Sequence, residues 1–310
     1  MQQPETEKSI RTRLAPTPSG YLHLGNAVSF AITWAMARQN NGKLVLRIDD
    51  LDTTRFRKKY LQDIFDTLDF LGLEYDEGPK DAANFMAHYS QRHRLPQYHQ
   101  LLERLAQQDQ VYACACSRGV LVNGRYPLHC RFRQLPLDTP ATAWRLRLPS
   151  HTEVGFKDLL QEEAYTVALP EKMPDFVVLR KDGIPAYQVA SLCDDLAMGI
   201  NLVVRGDDLL TSTAAQVYLA QLVEATEFSG VQFLHHPVLR DSAGYKLSKS
   251  EGALSVRHMR KSGVTPQAVW KKMAQALHLP HTGITNAHSF LQHLSLGHLQ
   301  QLSQQQHLKV

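Results

Sequence analysis

The segment R-T-R-L-A-P-T-P-S-G-Y-L-H-L-G-N-A-V-S-F-A-I-T-W-A-M-A-R-Q-N-N-G-K-L-V-L-R-I, from Arg11 to Ile48, decides the fold. It opens with a short strand pattern, Arg11 to Leu14, and a turn rich in proline and glycine. Apolar residues at helical spacing then predict a helix that stops at Asn40-Asn41-Gly42, and Lys43 to Ile48 predicts a second, buried strand. A strand, a helix and a strand in this order form a βαβ unit, which belongs to a parallel sheet covered by helices. The sequence therefore predicts an α/β protein.

Further strands are predicted later in the chain, each followed by polar or loop residues. They lie at Asp175 to Leu179, Leu202 to Val204 and Gln232 to Leu234. The middle of the chain contains a cysteine cluster and many prolines and breaks the alternation of strands and helices, which indicates an insertion. From Thr265 onward the pattern is helical.

Composition excludes several classes of protein. The 310 residues are 43% apolar and 21% charged, enough for a packed core of one large domain or two modest ones. Stretches of about 18 apolar residues do not occur, so we expect no membrane span. The polar start, Met1 to Lys8, lacks a signal core, so we expect a cytoplasmic protein. A net charge of +4 permits a polyanionic partner without requiring one.

Two segments suit the binding of phosphate groups. The first, R-L-A-P-T-P-S-G-Y-L-H-L-G-N from Arg13 to Asn26, joins a strand to a helix whose N-terminus directs N–H groups at an anion. His23 and Asn26 can both donate hydrogen bonds there, and Gly25 lets a ligand approach the backbone. The second, Y-K-L-S-K-S from Tyr245 to Ser250, is a compact cationic loop that could neutralise a leaving pyrophosphate.

Together the two segments resemble the H-I-G-H and K-M-S-K-S signatures of class I aminoacyl-tRNA synthetases. Asn26 in place of the second histidine is familiar in the glutamyl and glutaminyl branch. Three more segments resemble that branch, and the resemblance spans about residues 11 to 255: L-R-I-D-D-L-D at 46–52, D-F-V-V-L-R-K-D-G-I-P-A-Y-Q-V-A at 175–190 and V-V-R-G-D-D-L-L at 203–210. Within the branch, Tyr187-Gln188 and the short chain are most similar to the glutamyl-Q tRNA(Asp) synthetase family.

The resemblance implies a Rossmann-like parallel-sheet catalytic domain in two halves, 9–75 and 171–255. Residues 76–170 would form an inserted, zinc-bearing subdomain of the acceptor-binding type. Residues 256–310 would form a short helical C-terminal part, without an anticodon-binding domain.

The resemblance also implies a set of site residues for the formation of glutamyl-adenylate from L-glutamate and ATP with Mg²⁺. The glutamate-binding positions are Arg13, Leu14, Ala15, Pro16, Thr17, Asp49, Tyr187 and Arg205. The ATP-binding positions are His23, Gly25, Asn26 and Lys249, and the catalytic positions are His23, Asn26, Lys246 and Lys249. Arg13 and Arg205 are the cations expected at the side-chain carboxylate, and Tyr187 adds a hydroxyl. The family has glutamate where this chain has Asp49, so the acid expected at the α-ammonium is one methylene shorter.

Three of the four cysteines lie within a short stretch, as Cys114, Cys116 and Cys130. In a reducing compartment this crowding indicates a metal site, and three thiolates suit a closed tetrahedral zinc site. The residue types alone allow Tyr126 or His129 as the fourth ligand, and they also allow reduced cysteines without metal. The resemblance implies one structural zinc ion with Tyr126 as the fourth ligand.

The expected acceptor follows from the resemblance and from chain length. After Lys249 the chain has 61 residues, too few for the anticodon-binding region of a full synthetase. We therefore expect a monomer that activates glutamate without tRNA and transfers it to the queuosine base of tRNA(Asp). The alternatives are a truncated glutamyl-tRNA synthetase that charges a 3′ end, a catalytically silent paralogue that binds tRNA or protein, and another adenylyltransferase with an H-x-G-H turn.

Overall fold

The computed structural model describes residues 9–117, 119, 126–240, 255–280, 282–304 and 308–309. Its strands are β1 (Arg11–Leu14), β2 (Lys43–Leu46), β3 (Val111–Cys114), β4 (Ala143–Leu146), β5 (Glu153–Phe156), β6 (Tyr165–Ala168), β7 (Val177–Leu179), β8 (Leu202–Gly206), β9 (Gln232–His236), β10 (Leu239–Arg240) and β11 (Leu308–Lys309). Its α-helices are α1 (Leu24–Gln39), α2 (Lys58–Leu71), α3 (Ala82–Asn84), α4 (Leu95–Gln107), α5 (Leu169–Lys172), α6 (Tyr187–Ala197), α7 (Leu210–Leu222), α8 (Val256–Lys261), α9 (Pro266–Ala276), α10 (Ala287–His293) and α11 (Leu296–Gln304).

The chain divides into two compact units. Unit 1 comprises residues 1–90, 200–208 and 232–310, and unit 2 comprises residues 91–199 and 209–231. The sequence-based division into 9–75, 76–170, 171–255 and 256–310 stays a prediction.

Unit 1 is built on parallel strands. Strand β1 pairs with β2, and β8 pairs with β9, each in parallel register. Asn201, just before β8, links the two pairs because it accepts a hydrogen bond from Arg11 N at 2.7 Å and donates one to Arg11 O at 3.0 Å. The predicted α/β fold is thereby confirmed.

Helix α1 packs almost entirely inside unit 1, with alanines such as Ala27, Ala31 and Ala35 fully buried. Small side chains let a helix approach a sheet closely, because the backbones are not held apart. The predicted stop is confirmed: Gly42 N bonds Ala37 O at 2.8 Å. A Cβ atom at Gly42 would lie 2.5 Å from Ile10 O, so only glycine permits this turn from α1 into β2.

Unit 2 contains an antiparallel sheet in the order β3-β4-β7 and a separate antiparallel pair, β5 and β6. A buried ion pair joins Arg94, at the start of α4, to Asp194 on α6.

Strand β7 begins at Val177, two residues later than predicted, because Asp175 has a positive φ of 35° and its carboxylate accepts a hydrogen bond from Leu148 N. In the described residues, none of the helices has the length and apolar character needed to cross a bilayer.

A partly exposed ion pair at the start of β1 makes the stability of unit 1 depend on pH. Arg11 donates two hydrogen bonds to Glu77, at 2.7 and 2.5 Å, and chiefly this bonding lowers the pKa of Glu77 from 4.5 to about 2. A lowered folded-state pKa stabilises the fold above pH 4.5, and that contribution disappears as the pH falls toward 2.

We expect Glu77→Gln to reduce the free energy of unfolding at pH 7 by about 0.5–1 kcal/mol, since both side chains are partly exposed. The loss should shrink between pH 4.5 and pH 2, where the wild-type carboxylate is itself protonated. Urea unfolding at pH 7 and pH 3 measures both effects, with the exposed Glu74→Gln as control. An equal loss at the two pH values would contradict the assignment.

Candidate active site and thiol cluster

The predicted site residues of unit 1 gather where its parallel strands end. Hydrogen bonds from Arg47 N to Leu14 O and from Asp49 N to Pro16 O, both 2.9 Å, continue the β1–β2 pairing past the strands. Asp49 therefore lies beside the turn that holds Ala15, Pro16 and Thr17. In open α/β sheets the carboxyl ends of the strands are where ligands bind.

Two buried arginines lie at these strand ends. Arg13 on β1 is 4% exposed and Arg205 on β8 is 5% exposed. Arg13 Nη1 reaches Val204 O at 3.5 Å, so its guanidinium lies next to the chain position of Arg205. Arg205 Nε donates to Nε2 of His235, its register partner on β9, at 3.4 Å. A buried guanidinium group is stabilised when its N–H groups donate hydrogen bonds to carboxylate oxygens.

The buried carboxylate of Asp49 is held by Arg47, a residue that the motif analysis did not single out. Arg47 Nε and Nη2 donate to the two oxygens of Asp49 at 2.8 and 3.1 Å. This bidentate contact fixes the position of the Asp49 carboxylate, and carboxylate oxygens are acceptors of the kind that an ammonium group requires. The available signal was the pattern R-x-D at the end of the predicted strand, because residues two apart in an extended chain point to the same side.

The N-terminus of α1 is closed by a reciprocal cap. His23 Nδ1 accepts from Asn26 N at 3.3 Å, and Asn26 Oδ1 accepts from His23 N at 3.1 Å. Because Nδ1 accepts, the hydrogen of a neutral His23 ring resides on Nε2, and Nε2 and the Asn26 amide remain the side-chain donor groups of the cap. A Cβ atom at Gly25 would lie 3.0 Å from the His23 ring, so glycine leaves room for the capping ring.

Lys246 and Lys249 lie outside the described residues, but the chain on either side of them is fixed near the α1 N-terminus. Ser255 forms a backbone bridge with His23, and Val256 N donates to Leu22 O at 2.8 Å. Upstream, Leu239 Cβ lies 4.0 Å from the position of a Cβ on Gly25. Tyr187, which belongs to unit 2, is the first residue of α6 and is 42% exposed.

Two buried histidines at the end of β9 were missed by the sequence reasoning. His236 Nε2 lies 3.0 Å from Ser29 Oγ on α1, and its Nδ1 lies 3.1 Å from Pro237 O. Burial lowers the pKa of His236, which keeps the ring neutral at neutral pH. His236 therefore connects β9 to α1, and His235 connects β9 to Arg205. The local signal for this pair was the His-His dipeptide that follows a predicted strand.

In unit 2, the three clustered cysteines come together as the sequence predicted. The Sγ atoms of Cys114, Cys116 and Cys130 all lie within 4.8 Å of one another. Two ligands at about 2.3 Å from a tetrahedral zinc ion lie roughly 3.8 Å apart, so small adjustments would let the three thiols share one metal ion. Tyr126 is buried with its hydroxyl 3.2 Å from Cys114 Sγ, whereas His129 is exposed.

The thiols of the cluster differ in acidity: burial opposes ionisation of Cys130, but hydrogen bonds with Cys116 and with the backbone of Ala115 lower its pKa. Burial, with hydrogen bonding to Cys130 and the nearby Cys114, raises the pKa of the Cys116 thiol to about 11. Burial and the bond with Cys114 also raise the pKa of Tyr126. A metal ion would have to displace protons from these groups, so metal affinity should fall as the pH falls.

Comparison with known sequences identifies relatives across most of the chain. The family described as tRNA synthetases class I (E and Q), catalytic domain, matches residues 9–131 and 137–305. A glutamate–tRNA ligase of Nitrosospira multiformis is 39% identical over 278 residues, which cover 86% of this chain and 57% of the ligase. A glutamyl-Q tRNA(Asp) synthetase of Nitratidesulfovibrio vulgaris is 37% identical over 274 residues, 82% of each chain. The chain thus spans little more than half the length of the ligases it matches.

The fold also has solved counterparts. A glutamate–tRNA synthetase from Elizabethkingia anophelis superposes with a TM-score of 0.74 at 24% identity, covering 94% of this chain and 67% of that one. A glutamate–tRNA ligase from Elizabethkingia meningosepticum, solved with its amino acid, gives a TM-score of 0.73 at 23% identity over 94% of this chain and 66% of that one. At this identity the likeness establishes the fold.

Proposed function

Since the chain belongs to the family of class I tRNA synthetase catalytic domains for glutamate and glutamine, we propose that it activates L-glutamate with ATP. We propose further that it transfers the glutamyl group to the queuosine base of tRNA(Asp). The observation that carries the first step is the joint placement of Arg13, Arg205 and Asp49 at the carboxyl ends of parallel strands. Glutamate has two carboxylates and one ammonium group. A site for it therefore needs hydrogen-bond donors for the carboxylates and an acceptor for the ammonium group, and the two arginines and Asp49 supply these.

In the proposed site, Arg13 and Arg205 bind the side-chain carboxylate of glutamate and Asp49 accepts from its α-ammonium. Tyr187 belongs to unit 2, and its assignment to glutamate stays a prediction from the family resemblance. Leu14, Ala15, Pro16 and Thr17 shape the turn beside Asp49. The Arg47 fork keeps the Asp49 carboxylate in place before substrate arrives, which lowers the cost of ordering the site on binding.

Adenylation then proceeds by in-line attack. An α-carboxylate oxygen of glutamate bonds to the α-phosphorus of ATP, and the bond from that phosphorus to the pyrophosphate oxygen breaks. Mg²⁺ that accompanies ATP neutralises phosphate charge. His23, the Asn26 amide and the backbone at Gly25 hold the phosphates at the α1 N-terminus, while Lys246 and Lys249 stabilise the charge that develops on the pyrophosphate.

In the second step, a hydroxyl oxygen of the acceptor attacks the glutamyl carbonyl, its proton is lost, and AMP leaves. Support for queuosine as the acceptor comes from the name of the Nitratidesulfovibrio relative, a glutamyl-Q tRNA(Asp) synthetase.

The decisive experiment separates activation from transfer. We expect pyrophosphate exchange that depends on glutamate and proceeds without tRNA. With labelled glutamate, we expect product on tRNA(Asp) from queuosine-producing cells, including tRNA whose 3′-terminal nucleotide has been removed. Queuosine-free tRNA(Asp) and tRNA(Glu) should remain unlabelled.

Charging of a tRNA 3′ end is the second candidate, because the Nitrosospira glutamate–tRNA ligase is 39% identical to this chain. Label that disappears when the 3′ nucleotide is removed would establish it and overturn the queuosine proposal. An absence of exchange with every amino acid, together with retained tRNA binding, would indicate a silent paralogue.

We also propose that the thiol cluster holds one structural zinc ion, with Cys114, Cys116, Cys130 and Tyr126 as its ligands. The donor set supports this, because soft thiolates select zinc and the Tyr126 hydroxyl already contacts Cys114 Sγ. Bound zinc supplies rigidity here, since four protein ligands leave no open coordination position for catalysis. Cys130 N also donates to the Tyr126 hydroxyl, at 3.2 Å, which orients the phenol toward the thiols.

Protein purified without added metal should contain about one zinc per chain, and the double variant Cys116→Ala, Cys130→Ala should contain almost none. Metal analysis by mass spectrometry measures this. Cys193→Ala is the matched control, because burial and the neighbouring Asp194 raise the pKa of the Cys193 thiol to about 12 and keep it protonated. Zinc retained in the double variant would remove the assignment.

A further inference from the structure

Unit 2 contains a cavity that the proposed function does not use. Its volume is about 500 Å³, and Cys114 and Cys116 of the thiol cluster form part of its wall. Ala143 and Val177, on the adjacent strands β4 and β7, provide an apolar surface. A space of this size accommodates a group as large as a nucleotide.

The polar lining of the cavity is mainly cationic. Three lining residues are basic: Arg145, Arg180 and Lys181. Asp182 is the single acidic residue among the described lining residues, so the lining has a net charge of two positive units. Asp182 accepts a hydrogen bond from Arg180 Nη2 at 2.6 Å, and both side chains of this pair are more than a third exposed. Phosphate can compete for such a pair, since a surface ion pair contributes little free energy.

The basic side chains are held in defined positions. The Arg145 guanidinium lies 3.7 Å from the centre of the Tyr126 ring, and its Nη1 donates to Asp175 O at 2.8 Å. Lys181 Nζ donates to Ala115 O at 2.7 Å, and an ammonium group has two further N–H donors for a ligand. Arg180 and Lys181 lie on a tight turn closed by backbone bonds from Arg180 N to Ile184 O and from Gly183 N to Arg180 O.

We propose that this cavity binds one unstacked nucleotide of the tRNA substrate, with Arg180 and Lys181 on its phosphate and its base against Ala143 and Val177. The proposal rests on the proposed function, because it takes tRNA as the partner. Proteins recognise RNA largely through single-stranded nucleotides whose bases leave the stack and whose phosphates meet basic side chains. The cavity combines an apolar wall, a cationic rim and a volume that suits a nucleotide. A site that bound only the phosphate backbone of an RNA duplex would not need the apolar wall.

The test compares two charge-matched double variants. Arg180→Gln with Lys181→Gln removes the cationic rim, and the turn should persist because backbone bonds close it. Arg104→Gln with Lys157→Gln removes the same charge from exposed positions that do not line the cavity. The measured quantities are the Kd for transcribed tRNA(Asp) and tRNA(Glu) over a range of salt concentrations, and glutamate-dependent pyrophosphate exchange without tRNA.

The rim variant should bind tRNA about 10-fold more weakly than the control variant, and its log–log salt slope should be shallower by about 0.7 for each phosphate that the rim no longer neutralises. Exchange should stay at the wild-type rate. With 4-thiouridine-substituted tRNA, the crosslinked peptide should include Val177 to Asp182. Equal binding by the two variants, or wild-type protein that binds no tRNA, would overturn the inference. If pyrophosphate exchange is absent but the rim variant still binds tRNA more weakly than the control variant, the proposal of glutamate activation is overturned and the tRNA-binding inference is supported.

Discussion

Replacing Arg205 with glutamine should raise the KM for glutamate about 100-fold while the KM for ATP changes little. Arg205 is a buried cation on β8, and in the proposed site its guanidinium binds the glutamate side-chain carboxylate. Truncating one partner of a buried, hydrogen-bonded charge pair costs about 2–5 kcal/mol, because the other charge is left unpaired. The phosphates of ATP would bind at the α1 N-terminus, to other groups.

The measurement is pyrophosphate exchange at varied glutamate and varied ATP. Arg205→Lys separates charge from geometry: it keeps the cation but loses the planar fork, so its KM for glutamate should lie between those of Arg205→Gln and the wild type. Arg11→Gln is the control, since Arg11 lies at the start of β1 and pairs with Glu77. A KM for glutamate near the wild-type value in a variant with an unchanged melting temperature would exclude Arg205 from the substrate site.

The parts of the fold that the sequence predicted are those set by local pattern. The β1–α1–β2 unit has its turn residues, its helical apolar spacing and its stop signal inside one segment, and the observed bounds of α1 and β2 lie close to the predicted ones. The strands β8 and β9 were also predicted, as short apolar runs. Their parallel pairing, which places Arg205 opposite His235, depends on residues thirty positions apart and leaves no periodic signal.

The candidate site shows the same division between local and distant information. Motif resemblance predicted Arg13, Asp49 and Arg205, because each falls within a quoted segment. It did not predict that Asp49 would be held by Arg47, although both belong to one motif, because a motif gives residue identity and not side-chain direction. The cavity beside the thiol cluster was not predicted either, since its wall is assembled from β3, β4, β7 and the turn after β7.

Unit 2 contains a buried network that the local pattern could not reveal. Asp194 on α6 is fully buried, and its carboxylate accepts hydrogen bonds from Arg94, Tyr98 and Gln91. Arg94 donates two of them, at 2.7 and 3.0 Å, Tyr98 OH donates one at 2.7 Å, and Gln91 Nε2 donates one at 2.9 Å. The donors lie about one hundred positions before Asp194, so the network ties the start of α4 to α6.

Asp194→Asn should reduce the free energy of unfolding of unit 2 by about 3–5 kcal/mol. Asparagine has nearly the same shape, so the loss isolates the charge: the Arg94 guanidinium, with its side chain only 15% exposed, would be left in the interior without its carboxylate. In asparagine, an NH₂ group replaces one carboxylate oxygen. This group donates hydrogen bonds, so it could not accept the hydrogen bond that the replaced oxygen now accepts. Asp182→Asn provides the contrast, because it breaks an exposed pair with Arg180 and should cost less than about 1 kcal/mol.

Hydrogen exchange of the α6 amides, Tyr187 to Ala197, measures the effect within unit 2 without assuming that the whole chain unfolds in one step. A loss of 3–5 kcal/mol corresponds to a fall in protection of roughly 150-fold to several thousand-fold for amides that exchange through global unfolding. Protection that falls less than 10-fold in Asp194→Asn would show that the carboxylate charge is dispensable. Polar replacements would then suffice to join α4 to α6, and the buried ion pair would contribute little to the stability of unit 2.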